Sequence, residues 1–397
     1  MIALDQAIET LLRQASPVSR VETVATLDAL GRVLAEPVVS GIAVPPLDNS
    51  EMDGYAVRSA DLTHVPASLP VSQRIQAGQV GQPLAAGSAA RIFTGAPIPA
   101  GCDAIVPQEA TQLQADRVVV LAMPTPGQWI RPAGMDIAAG AKVLARGTRL
   151  RPPHVGLAAS VGLANLTVYR RLKVGVLFTG DELAMPGDPL PEGRIYNSNR
   201  FLLSALLRGL GCEVIDLGIV PDRLEPTRQA LVRAAEQADL VISCGGVSVG
   251  EADYVRAAVQ AEGAIDLWQI AMKPGKPLAF GQVRGVPFIG LPGNPVSGLV
   301  TFAMLARPFI LKRQGAIELL PRAIPMRADF EVRQAGARRE LLRVRVTDQG
   351  CLQAFAVQNS AVLTSAAWAD GLADIEVGRR VARGDEVPYL PFSELFG

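Results

Sequence analysis

The stretch "VPPLDNSEMDGYAVRSAD", Val44 to Asp61, places Asp48, Glu51 and Asp53 close together, behind two prolines and ahead of Gly54. Three chemistries compete for such a group: a solvated turn, a calcium loop, and a magnesium and phosphate site. The calcium loop fails, because an EF-hand needs acids at alternating positions, a central glycine and a final glutamate between helices. One of the acids can then be functional while the others cap turns.

Other stretches carry chemistry of the same kind. "TGDEL" (179–183) and "CGGVSVGEADYV" (244–255) each follow an apolar run, and "GLPGNPVSG" (290–298) ends another. In the second, Gly245, Gly246, Ser248 and Gly250 can bring backbone N–H groups onto a phosphate at a helix start, with Asp253 in the first turn. A plain tight turn explains the same glycines, and Asn294 before Pro295 is also ordinary helix-start chemistry. "MKPGKPLAF" (272–280) is more telling: prolines stiffen a segment that holds Lys273 and Lys276 close together, which suits an anion. "RIFTGAPIPAGCDAIVPQE" puts Thr94 at a strand end, and "WIRPAGMDIAAG" supplies Arg131 and Asp136.

The elements that must position these residues fall into three textures. Residues 1 to about 40 show helical periodicity, starting from Leu4, Ile8, Leu11 and Leu12. From about 45 to 140, Pro and Gly recur between short β-rich runs such as "DRVVVLAM". From Leu172, apolar strands alternate with helices: "LKVGVLFTG", a helix after Asn197 or Ser198 that stops at Gly211, "CEVIDLG", a helix over 225–238, "ADLVISCGG" and "VPFIGLPG". That alternation predicts a doubly wound α/β domain with a mostly parallel sheet, whose ligands bind beyond the carboxyl ends of the strands. After about 320 the helices are expected to stop, and "ADFEVRQ", "ELLRVRV", "CLQAFAVQ" and "GDEVPYLPF" read as strands of a small all-β domain.

Composition narrows the chemistry. Of 397 residues, 49% are hydrophobic and 19% charged, with net charge zero, so no global basic field points to nucleic acid or an anionic membrane. The start is an amphipathic helix and not a signal peptide, and no membrane span is evident. Cys102, Cys212, Cys244 and Cys351 form no CxxC pair, which suggests a reduced, cytoplasmic protein without disulfides. Only His64 and His154 are present, which disfavours a histidine-rich zinc site and a Ser-His-Asp triad. A metal would then be held by oxygen, which favours Mg²⁺.

Taken in order, "DNSEMDGYAV", "TGAPIPAGCDAIVPQE", "RPAGMDI", "TGDEL", "GGVSVGEADYV", "MKPGKP" and "GLPGNPVSG" resemble the MoeA family of molybdopterin molybdenumtransferases, which includes the gephyrin E domain. The resemblance covers essentially the whole chain. It implies an N-terminal region over 1–170 with an inserted β domain at about 45–140, an α/β molybdopterin-binding domain over 171–318, and a C-terminal β-barrel over 319–397. It also implies an elongated homodimer with the active site between protomers. The substrates would be adenylylated molybdopterin and molybdate, and Mg²⁺-dependent cleavage would release AMP and molybdenum cofactor. A molybdopterin adenylyltransferase and acceptor molybdoenzymes are implied partners.

By the same resemblance, Asp53, Thr94, Glu182, Asp222 and Asp253 are catalytic, and Asp53, Glu182 and Asp253 are the Mg²⁺ ligands. Arg131, Asp136, Gly245, Gly246, Ser248, Lys273, Lys276, Pro292, Asn294, Arg343 and Ser360 would hold substrate or molybdate. Glu51, Met135, Ala361 and "WADGL" depart from the family pattern, and the last two leave open a preference for tungstate. Two rivals remain. An adenylyltransferase shares the GGxSxG element but needs only the α/β domain. A non-enzymatic scaffold would not need the acids and lysines.

Overall fold

A computed structural model describes residues 1–246 and 254–396. Helix Leu4–Gln14 buries Leu4, Ala7, Ile8 and Leu11, the stripe an amphipathic helix presents to a core. That stripe shares one core with Val174, Phe178, Phe302 and Leu311, so the first helix packs on the α/β domain. The helical pattern expected to about residue 40 ends at Gln14. Val21–Ala25, rich in β-branched residues, is a strand paired antiparallel to Asn165–Tyr169. Two backbone bonds, Ser40 N–H to Ala141 O (2.9 Å) and Val44 N–H to Ile137 O (2.8 Å), then close the neck of an inserted segment.

The insert builds one six-stranded sheet in the order Ala104–Pro107, Gly54–Val57, Ala89–Ile92, Ala67–Ile75, Arg117–Val120, Thr111–Gln114. It packs small cores of its own, around Tyr55, Val106 and Val118 and around Ile75, Ile92 and Ile105. Gly54 is where the insert tolerates no side chain: a Cβ there would lie 2.1 Å from the Val106 carbonyl oxygen. The glycine directly after Asp53 is therefore set by strand approach.

The central sheet runs Glu213–Val220, Lys173–Thr179, Leu240–Cys244, Val286–Leu291, Pro277–Val283, Gly263–Gln269. The first four strands are parallel, and the last two pair antiparallel. The antiparallel edge strand Gly263–Gln269 went unread in the sequence. Val174, Val176 and Phe178 face one core with Leu203, Leu207 and Phe309, while Leu177 and Val241 face the other with Leu231 and Val259. Helices thus cover both faces, as double winding requires. Asn197 caps helix Ser198–Gly209 by accepting from the Arg200 N–H at 3.1 Å. Pro295–Arg313 is long and apolar enough to span a membrane, but 89% of it is buried in the core. A π-helical turn at Phe302–Ala306 precedes Pro308, which has no N–H to give.

At the C-terminus, Arg339–Val346 pairs with Leu352–Ala354 on one side and Gly371–Ile375 on the other, followed by Glu386–Pro391 and Ile324–Arg327. The Ala328–Leu352 bridge joins the two ends of this path, curling it into a barrel around Leu342, Val344, Leu352 and Val387. Two expectations fail here. "ADFEVRQ" makes only isolated bridges at Ala328 and Val332, the strand being the preceding Ile324–Arg327. Helices also continue past residue 320, at Leu363–Trp368 and Phe392–Phe396.

Replacing Gly54 by alanine should force the Gly54–Val57 strand off its neighbour, an overpacking cost of about 1–3 kcal/mol. Differential scanning calorimetry should show the inserted domain's transition moving to lower temperature, and an unmoved transition would contradict this packing.

Candidate functional site

The three acids of the opening stretch separate in the fold. Asp53 Oδ1 accepts two bonds from Thr94, one from its N–H and one from its hydroxyl, both 2.8 Å. Those bonds, the backbone one first, hold the Asp53 carboxyl below the usual aspartate range, with the Arg91 charge adding to the effect. Asp48 orders a turn: its carboxylate accepts the Ala133 N–H at 2.7 Å and its carbonyl the Ile98 N–H at 2.9 Å. Glu51 lies 4.0 Å from Arg131 Nε, both about two-fifths exposed, so the pair is a weak, solvent-screened one.

Backbone pairing brings these residues together. Ile130–Arg131 pairs with Asn49–Ser50, and Ser50 exchanges bonds with Gly95 and Ala96. Asp53 and Thr94 are thus direct partners, Arg131 sits on the neighbouring ribbon, and Asp136 is exposed a few residues on. This edge sets a carboxylate fixed by Thr94 beside the cation of Arg131.

A second group forms at the carboxyl ends of the parallel strands. Asp181 and Glu182 follow Lys173–Thr179, and Asp222 follows Glu213–Val220. Asp181 accepts the Asp222 N–H at 3.2 Å. Burial first, and then the Asp181 and Glu182 charges, push the Asp222 carboxyl up from its ordinary value. Asp181 was not singled out from the sequence, although it stands beside Glu182 in "TGDEL" at the same strand end. Among the described residues, no group of three histidine, cysteine, aspartate or glutamate side chains gathers as a complete metal site. The donors are all oxygen, however, and mutually repelling carboxylates favour a hard cation. Mg²⁺ commonly takes only one or two carboxylates plus substrate phosphates, so the residues present fit it.

Gly245 and Gly246 have φ of +99° and +65°. The Gly245 N–H is already given to the Leu291 carbonyl at 3.1 Å, so this group cannot also serve a phosphate. The Thr179 hydroxyl beside both glycines is buried without a hydrogen-bond partner. Ser248 and Asp253 lie outside the described residues.

A third group adjoins the second through the helix that begins at Pro295. Pro292 carbonyl accepts from the Cys244 thiol (3.4 Å), and Gly293 carbonyl from the Asn199 amide (2.6 Å). Asn294 occupies the cap position, but its side chain makes no capping bond. The Val296 N–H instead donates to the Ser360 carbonyl at 3.0 Å, which ties the barrel to this helix start. Lys273, at the end of the short strand Met272–Lys273, and Lys276 are exposed, while Pro274 and Gly275 between them are buried against that helix. A Cβ on Gly275 would be 2.4 Å from the Thr301 hydroxyl, so the backbone between the lysines is pressed onto the helix. Lys273 contacts Glu340 at 3.4 Å, and Lys276 makes no side-chain hydrogen bond or ion pair among the described residues.

Arg343 differs from the sequence expectation of a cation offered to an oxyanion. It is 1% exposed, and its guanidinium donates to Ser365 Oγ (3.1 Å), Leu341 O and Asn359 O (both 3.3 Å). Burial lowers its pKa to about 10. Through the Asn359 carbonyl, Arg343 therefore holds the loop carrying Ser360.

The bonds described for Asp53, Thr94 and Arg131 all stay within the inserted segment, and that between Asp181 and Asp222 stays within the α/β domain, so none of these bonds joins the Asp53 edge to the strand-end carboxylates in one chain.

Three family descriptions match successive parts of the chain: "MoeA N-terminal region (domain I and II)" over 2–162, "Probable molybdopterin binding domain" over 175–312, and "MoeA C-terminal region (domain IV)" over 325–392. A molybdopterin molybdenumtransferase of Haemophilus influenzae is 42% identical, covering 100% of both chains. One of Synechococcus elongatus is 35% identical over 92% of this chain and 93% of its own. Among solved structures, the molybdopterin biosynthesis MoeA protein of Pyrococcus horikoshii OT3 superposes with a TM-score of 0.85 at 27% identity, covering 98% of this chain and 100% of that one.

Thr94→Val removes the hydroxyl bond to Asp53 and keeps the backbone bond. The Asp53 pKa should rise toward the ordinary aspartate value while staying below it. Because the folded-state value is depressed, the stabilisation from Asp53 is present above that ordinary value and lost as pH falls through the folded one. Part of it should disappear in the variant. Carboxylate-carbon NMR titration checks the midpoint, and an unchanged midpoint would show that the hydroxyl has no effect.

Proposed function

The chain belongs to the MoeA family, molybdopterin molybdenumtransferases that act in molybdenum cofactor biosynthesis, and we propose that its substrates are adenylylated molybdopterin and molybdate, with AMP released. The observation that carries this reading is that one sheet's carboxyl end presents both chemistries. Crowded carboxylates follow two of its parallel strands, and two exposed lysines flank a turn pressed onto the helix that follows a third. A polyanionic substrate and a dianionic oxyanion call for such a combination.

In this reading Lys276, with no partner among the described residues, and Lys273 hold molybdate as charged donors. The loop is fixed by Gly275, so the ammonium groups start from a defined backbone. Glu182 and Asp222, with Asp181 beside them, would hold Mg²⁺, which when bound supplies charge stabilisation to pyrophosphate oxygens. Arg343 and the Ser360 carbonyl set the barrel against the helix start and so fix one wall. Asp53, kept ionised by Thr94, would orient water or a metal-bound group. Since none of those bonds joins the Asp53 edge to the strand-end carboxylates in one chain, we place that edge across a homodimer cleft from the partner's α/β domain.

The test is a single-turnover assay with purified protein, adenylylated molybdopterin, molybdate and Mg²⁺. AMP release and molybdenum incorporation should be equal, and both should stop when molybdate is omitted or Mg²⁺ is chelated. AMP release that continues without molybdate would reject the coupled reaction, and adenylylation of molybdopterin by ATP would favour an adenylyltransferase. Lys276→Ala should raise the half-saturating molybdate concentration by roughly 10-fold, the loss of one charge-assisted bond. Titrating molybdate against initial rate reads this out.

A further inference from the structure

Arg91 has no role in the reaction as read above, yet its contacts converge on Asp53. It lies on strand Ala89–Ile92, opposite Tyr55 on one neighbour and opposite Arg74 on the other. Its guanidinium stacks 5.2 Å from the Tyr55 ring and 4.7 Å from the Phe93 ring, and Arg74 stacks on Phe93 at 4.7 Å. Cross-strand placement makes this ladder, and cation–π attraction restricts the guanidinium's plane.

The fork so oriented makes two bonds. One arm donates to the Gly54 carbonyl at 3.0 Å, the other to Gln108 Oε1 at 2.8 Å. Gln108 in turn donates its backbone N–H to the Asp53 carbonyl at 3.0 Å. Arg91 therefore grips the residue after Asp53 and the residue bonded to Asp53's own carbonyl. It also stacks on Phe93, the neighbour of Thr94, which supplies both donors to the Asp53 carboxylate.

We propose that Arg91 is a positioning residue for Asp53, fixing the backbone from the Asp53 carbonyl into Gly54 and the Phe93–Thr94 segment that binds the carboxylate. Lysine cannot replace it, since one ammonium lacks the planar fork that reaches Gly54 and Gln108 together from a position over the Tyr55 and Phe93 rings. The inference rests on the reading of Asp53 as a site residue, and the experiment separates the two.

Molybdenum transfer is measured as kcat and KM for the wild type, Arg91→Met, Arg91→Lys, Asp53→Asn and the Arg91→Met/Asp53→Asn pair, with thermal melting of each. Arg91→Met should lower kcat by roughly 10- to 100-fold, the cost of a misplaced site group, with KM nearly unchanged. Arg91→Lys should resemble Arg91→Met. The paired variant should be no slower than Asp53→Asn, because a residue that acts through Asp53 has nothing left to position. Losses that multiply, a rise in KM in place of the fall in kcat, or full activity of Arg91→Lys would overturn the proposal. Wild-type turnover by Asp53→Asn would instead overturn the reading of Asp53. If Arg91→Met does not fold, Gln108→Ala cuts one arm of the bridge from a surface position. It should lower kcat alone, and an unchanged kcat would count against the proposal.

Discussion

The nine residues from Gln269 to Pro277 pass between two sheets, and the placing of the lysine pair depends on that passage. Pro277–Val283 continues the central sheet, while Met272–Lys273 pairs in parallel with Arg339–Glu340 of the barrel. Ile2 bonds to the same segment through Gln269 and Ala271. The backbone bonds consumed at both ends leave only Pro274, Gly275 and Lys276 to make the turn. Gly275 has no room for a side chain against Thr301 and Met272. A loop with this little freedom presents its lysines to solvent at small further entropic cost, since ordering the backbone is part of folding.

The same economy governs the other half. The Asp53 edge is stitched by backbone bonds among 48–53, 94–98 and 129–131, so its functional side chains inherit their places from a ribbon and a sheet edge. Its charges are balanced locally: Asp53 by Thr94 donors and the nearby Arg91, Arg131 by Glu51 at the edge of ion-pair distance. At the strand ends the balance is deliberately incomplete in the physical sense that Asp181, Glu182 and Asp222 repel one another. Unrelieved like charge costs stability, and its persistence at the end of a parallel sheet, where ligands bind in this architecture, is what gives the group functional weight.

Most of the fold was legible because its periodicities are local. The alternation of apolar strands and helices from Leu172 carries the double winding, and Asn197 and Gly211 mark the helix they bracket. Reading failed where tertiary pairing decides the state. Val21–Ala25 and Val38–Val39 become strands through partners more than a hundred residues away. "ADFEVRQ" has a strand's pattern but finds only isolated bridges, the ladder beside Glu386–Pro391 being made by the preceding Ile324–Arg327. At the site, Asp53, Thr94, Glu182, Asp222 and the two lysines occupy strand ends or loops, as their motifs suggested. Arg343 does not behave as its motif suggested, because burial and carbonyl partners turn an exposed-looking cation into a strut.

The sequence by itself determined which chemistry was available. It supplied oxygen ligands without histidine, cationic donors without a basic surface, glycines where backbones must approach, and the order of motifs that marks the family. Only the tertiary structure decided how those groups are shared out. It assigned Asp48 to a turn and Asp53 to Thr94, gave Asp222 a neighbour in Asp181, and linked Ser360 to a helix start in another domain. Each of these depends on hydrogen bonds between residues far apart in the chain. A carboxylate's neighbours set its charge and its reach, and linear spacing does not specify those neighbours.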